Sequence, residues 1–78
     1  MNYTDKPHMC RVDFFKENRT WYTTEAVDMS GVWNILSVQE GVRLAVLNHI
    51  QGRMKGMIAV CTEPFHEHSY PIMFRIPE

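Results

Sequence analysis

The stretch that decides the fold is Ser37–Gly52, "SVQEGVRLAVLNHIQG". Ser37 followed three residues later by Glu40 is a capping box, in which each side chain satisfies an orphan N–H at a helix start. Val42, Ala45, Val46 and Ile50 then recur at intervals of three and four, which gives a helix one apolar face. Leu44 and Leu47 widen that stripe, and Arg43 and Asn48 fall off it. His49, beside Ile50, reads as a residue at the boundary of the stripe. Gly52 supplies the left-handed residue that commonly terminates a helix. The pattern predicts a helix from Val38 to Gln51, with Gly41 costing about 1 kcal/mol relative to alanine in its first turns.

Everything outside this helix alternates or turns. His8–Phe15 places Cys10, Val12 and Phe14 on one side and Arg11 and Asp13 on the other, the signature of a half-buried strand. Lys16–Arg19 is a polar turn in which Asn18 tolerates a positive φ. Thr20–Val27, rich in threonine and aromatics, is the second strand of the hairpin. Downstream of the basic loop Gly52–Gly56, Met57–Glu63 is apolar on both sides and suggests a central strand. Tyr70–Pro77 alternates Ile72, Phe74 and Ile76 against Met73 and Arg75, with Pro71 and Pro77 marking its limits. Asp28–Leu36 is ambiguous: Ser30-Gly31 leads either to a short additional strand over 32–36 or to a helical turn, and Trp33 is expected to plug the core.

The order β-β-α-β-β implies an α+β two-layer sandwich: a four-stranded antiparallel sheet, with room for a fifth short strand, and one helix on one face. Seventy-eight residues make a single small domain, with 1–7 as a loose N-terminal tail. A chain of this length buries roughly 60–65% of its unfolded surface, near the lower limit for folding alone. Hydrophobic content of 45% with two Trp, three Tyr and four Phe excludes intrinsic disorder. No run of apolar residues is long enough to span a membrane, and residues 1–9 lack signal-peptide architecture. A cytoplasmic setting is expected, in which Cys10 and Cys61 stay reduced; a Cys10–Cys61 disulfide would require secretion, for which nothing else speaks.

One helix covers one sheet face and leaves the other. The residues expected there are Arg11, Asp13, Phe15, Met73 and Arg75, with part of the set Trp21, Tyr22, Thr23 and Thr24. Phe15, a strand-two aromatic and Met73 would form an apolar centre inside a charged rim, and exposed apolar patches mark interaction sites. No glycine-rich phosphate loop, useful carboxylate pair or cofactor fingerprint is present, and so small a fold leaves little concavity for an oxyanion pocket. The expectation is therefore a non-catalytic protein-binding module without a cofactor. It would be a regulator or inhibitor that occupies the surface of another protein or complex, with a homodimer as a variant. Its size suits a phage- or plasmid-encoded factor aimed at a host or defence complex. Arg11, Phe15, Lys16, Arg19, Trp21, Tyr22 and Arg75 are its expected contacts, because Trp, Tyr and Arg anchor interfaces. Loop contacts come from Arg53, Lys55, His66, Glu67 and His68.

Two alternatives use the same residues. Arg11, Lys16, Arg19 and Arg75 with interleaved aromatics would make a single-strand nucleic-acid platform if the first and last strands were neighbours. Eight basic against nine acidic residues, a net charge of −1, oppose it. The loop "EPFHEHSYP", Glu63–Pro71, offers His66 and His68 to zinc, with Cys61 and then Cys10 or His8 completing four ligands. That spacing matches no tight ligand pair, and both cysteines occupy strand positions that favour small buried side chains.

Overall fold

The computed structural model describes residues 9–30, 38–62 and 71–78. They form β1 (Met9–Phe15), β2 (Trp21–Asp28), α1 (Val38–Ile50), β3 (Ile58–Cys61) and β4 (Ile72–Arg75). The strands make one antiparallel sheet in the order β2-β1-β3-β4. This is the expected ββαββ α+β architecture. The suggested extra strand or turn over 32–36, Trp33, the capping serine Ser37 and the tail 1–7 lie outside the described residues.

The alternation of β1 sets the two faces. Cys10, Val12 and Phe14 are buried, and their cross-strand neighbours Val27, Cys61 and Ala59 are buried with them. The helix contributes Val42, Val46 and Ile50 to the same core, a strict four-residue spacing, with Ala45 and Leu47 packed at its edge. Ile72, Ile76 and Met29 complete it. Leu44 does not widen the buried stripe as its spacing suggested. It is 48% exposed, because it sits well round the helix from the Val42–Val46–Ile50 line.

The strand ends are shorter than the sequence pattern implied, and hydrogen bonding explains the trimming. β3 spans Ile58–Cys61 rather than 57–63, and β4 spans Ile72–Arg75 rather than 70–77. Beyond Ile58 and Arg75 the ladder continues as single bonds. The Ile76 amide donates to the Met57 carbonyl at 2.7 Å and the Gly56 amide to the Ile76 carbonyl at 2.9 Å. At the helix C-terminus, Gln51 (φ 49°) and Gly52 (φ 86°) are both left-handed. The Arg53 amide and its Nε each donate to the Ile50 carbonyl at 3.0 Å, satisfying one of the acceptors that a helix end leaves open.

Core and surface therefore make opposite predictions. Phe14→Ala should cost about 3–5 kcal/mol, a large share of what a domain this small has. Leu44→Gln should change stability by no more than about 0.5 kcal/mol. Urea midpoints of the two variants test the assignment, and an equally large loss for Leu44→Gln would place it in the core.

Candidate functional site

On the sheet face away from α1, the register aligns side chains in rows. One row runs Trp21–Phe15–Ile58–Arg75 and the next Thr24–Asp13–Val60–Met73, with Ala26–Arg11 beyond them. Trp21 reaches this face through a bulge. Phe14 pairs with Thr23, but Phe15 pairs with Trp21, so Tyr22 is the extra residue. Without that insertion, strict alternation would turn Trp21 toward the helix side. A hydrogen-bond chain fixes the indole: Trp21 Nε1 donates to Thr24 Oγ1 at 2.9 Å, and Thr24 Oγ1 donates to Asp13 Oδ1 at 2.5 Å. Trp21 is nevertheless 57% exposed, and Met73, at the far side of the sheet, is 66% exposed. Phe15, Ile58 and Val60 are half-buried between them.

Ile58 and Val60 are the site residues that sequence reasoning missed. The run Met57–Glu63 is apolar on both sides, which suggests a central strand, and β3 is one. Its small residues Ala59 and Cys61 face the helix, whereas its bulky branched residues Ile58 and Val60 face away from it. The size alternation within "IAVC" was the available signal.

The predicted cations fall into two groups. Arg75 donates to Glu17 Oε2 at 2.6 Å and to Glu78 Oε2 at 3.2 Å. Arg53 forks onto both oxygens of Glu25 at 3.1 and 3.2 Å, and Arg43 lies 3.9 Å from Glu40. Arg11 lies exposed on β1 and is also engaged. Lys16, Arg19 and Lys55 have no carboxylate partner among the described residues. The Lys16 ammonium stands over the Tyr22 ring, 5.8 Å from its centroid. The first and last strands are not neighbours, since β3 separates β4 from β1; this corrects the adjacency that the nucleic-acid reading required.

Glu25 ties the helix end to the sheet. It accepts from Arg53 and lies 2.9 Å from His49 Nε2. The Arg53 hydrogen bond foremost, then that of His49, holds its pKa below the ordinary 4.5, and the same bond raises the pKa of Arg53.

Of the metal candidates, Cys10 and Cys61 are buried on the helix-facing side of β1 and β3 and form no disulfide. His8, His66, Glu67 and His68 lie outside the described residues. Among the described residues no group of three His, Cys, Asp or Glu side chains converges. A cleft of about 220 Å³ between the first turns of α1 and β4 is lined by Gln39, Glu40, Arg43, Ile72, Met73 and Phe74. Among the described residues its charged groups are the Glu40–Arg43 pair. No described helix is long and apolar enough to cross a membrane.

Two stability outcomes follow from these contacts. A carboxylate whose folded pKa is depressed stabilises the fold fully above its unfolded value, and that contribution is lost as pH falls through the folded value. The urea midpoint should therefore drop on acidification below about pH 4.5, and Glu25→Gln should remove part of that drop; identical pH profiles would show that the cluster carries no linkage. Arg19, at φ 70°, occupies a position glycine tolerates better. Arg19→Gly should leave stability unchanged or raise it by up to about 1 kcal/mol, and a clear loss would show that its side chain supports the hairpin.

The chain matches no protein-family model, no curated protein and no solved structure.

Proposed function

We propose that this protein is a non-catalytic binding module, a regulator or inhibitor that acts by laying its open sheet face on the surface of another protein. The observation that carries this reading is β3. A strand apolar on both faces belongs between two covering layers. Here Ala59 and Cys61 meet the helix, while Ile58 and Val60 meet no described layer. With Phe15, Trp21 and Met73 they make an apolar band across the sheet, interrupted by Asp13 and flanked by Arg11 and Arg75. An apolar centre with a polar rim is the anatomy of a protein interface, and a partly exposed tryptophan held by a hydrogen bond is the kind of rigid anchor that dominates binding energy.

The charge distribution favours protein over nucleic acid. Phosphate binding needs cations available to displace the counterions condensed on the nucleic acid, yet Arg75, on the face itself, is held by two carboxylates. Asp13, in the middle of the face, would meet any strand laid across it.

The test compares baits. Trp21→Ala and Met73→Asp should each keep the wild-type urea midpoint within about 1 kcal/mol, because both residues are exposed. Each should weaken capture of a stoichiometric protein partner by about 30-fold or more, the scale of a lost interface anchor. Leu44→Gln, on the exposed side of the helix, should leave capture unchanged. Retention of the partner by both face variants would reject the open face as the binding surface.

A further inference from the structure

We infer that the hairpin end of the molecule docks an acidic segment of the partner protein, an inference that rests on the protein-binding reading and specifies the chemistry of what is bound. Three stretches distant in sequence meet at this end: the β1–β2 turn, residues 51–57 and the C-terminal residues 76–78. Their proximity is direct. A Cβ placed on Gly56 would lie 3.1 Å from Glu78 Oε2 and 3.8 Å from Glu17 Oε2.

Charge is distributed unevenly between this end and the rest. Among the described cations, Arg43, Arg53 and Arg75 are paired with carboxylates and Arg11 is engaged. The three without a carboxylate partner, Lys16, Arg19 and Lys55, all belong to the hairpin turn or to the loop beside it. The two exposed aromatics of β2, Trp21 and Tyr22, adjoin them, with the Lys16 ammonium already poised over Tyr22. Unpaired cations beside exposed aromatic rings suit a ligand that carries carboxylates spaced by apolar groups, since the rings take the apolar contacts and the cations take the charge.

Backbone conformation is concentrated there too. Every described residue with positive φ lies at this end: Arg19, Gln51, Gly52, Met54 and Gly56. Three of them are not glycine. Gln51 and Gly52 terminate α1, whereas Arg19 at φ 70° closes the β1–β2 turn, its amide donating to the Lys16 carbonyl at 2.8 Å.

A protein segment fits better than a polyphosphate chain. Glu17 and Glu78 converge on Arg75 within the same surface. A continuous run of phosphates crossing the patch would meet that pair, whereas discrete carboxylates can be spaced to avoid it.

The experiment titrates the 15N-labelled full chain with three probes: a short peptide alternating glutamate and leucine, its lysine-for-glutamate counterpart, and a single-stranded oligothymidylate. The expected result is saturable shifts from the glutamate peptide on the amides of Lys16–Tyr22 and Met54–Gly56, weakening as salt rises. The triple variant Lys16→Glu, Arg19→Glu, Lys55→Glu should reduce its affinity by about tenfold or more, with the remaining amide spectrum unchanged. Lys55→Glu alone serves if the triple variant does not fold. Met73→Asp, on the sheet face away from this end, should bind the peptide as the wild type does. Shifts that do not saturate, that fall elsewhere, or that the lysine peptide reproduces would overturn the inference. Tighter binding of oligothymidylate at the same amides would overturn it in favour of nucleic acid. If Met73→Asp abolishes partner capture while the peptide ignores the hairpin end, this inference fails and the sheet-face reading stands. If the peptide binds as expected while capture ignores both face variants, the sheet-face reading fails alone.

Discussion

A single helix cannot cover both faces of a four-stranded sheet, and the rest of this structure depends on how the chain meets that limit. At 1.5 Å per residue α1 is about 20 Å long, while outer strands of such a sheet stand roughly 14 Å apart. One helix thus suffices for one face. The central strands present small side chains to the core that α1 shares, Cys10 on β1 and Ala59 and Cys61 on β3. The larger β3 residues are displaced to the opposite side. Packing one layer tightly has the direct consequence that Ile58 and Val60 contribute bulk to the layer that α1 does not reach.

That arrangement explains why the bulge at Tyr22 matters beyond the hairpin. Period-two alternation would send Trp21 to the helix side, over a core already filled by Phe14 and Val27. The extra residue moves the indole into the row of Phe15 and Ile58, where Thr24, itself bonded to Asp13, accepts from its N–H. That hydrogen bond limits the freedom of an exposed ring. The Trp21 indole is thus partly oriented before any partner arrives, which lowers the entropy it would lose on binding.

Much of this was legible in the sequence because it rests on local periodicity. β1 alternates cleanly, Val42, Val46 and Ile50 follow helical spacing, and Gly52 ends the helix where left-handed geometry is required. What escaped depends on pairing between distant residues. The bulge is a mismatch between β1 and β2 that neither strand reveals by itself. Arg75 looked like a free cation, but Glu17, fifty-eight positions away, holds it. Strand order decided the fate of the nucleic-acid platform, because β3 inserts between β1 and β4. The exposure of Leu44 shows the converse error. An apolar residue near a stripe was credited to the core, although its direction round the helix axis placed it in solvent.

The Glu25 cluster connects these two levels. Glu25 lies on the helix-facing side of β2, opposite Val12, and reaches both His49 in the last turn of α1 and Arg53 beyond it. Arg53 in turn bonds the Ile50 carbonyl, so one carboxylate links β2, the helix terminus and the loop that follows. That link adds to the backbone bonds from Gly56 N–H to the Ile76 carbonyl and from Met57 N–H to the Met54 carbonyl in fixing a loop that contains left-handed Gln51, Gly52, Met54 and Gly56. The loop returns beside the β1–β2 turn and sets Gly56 next to Glu17 and Glu78. The neutralised pair Glu25–Arg53 thus acts as structure, and the described cations without a carboxylate partner are confined to the hairpin turn and this loop: Lys16, Arg19 and Lys55.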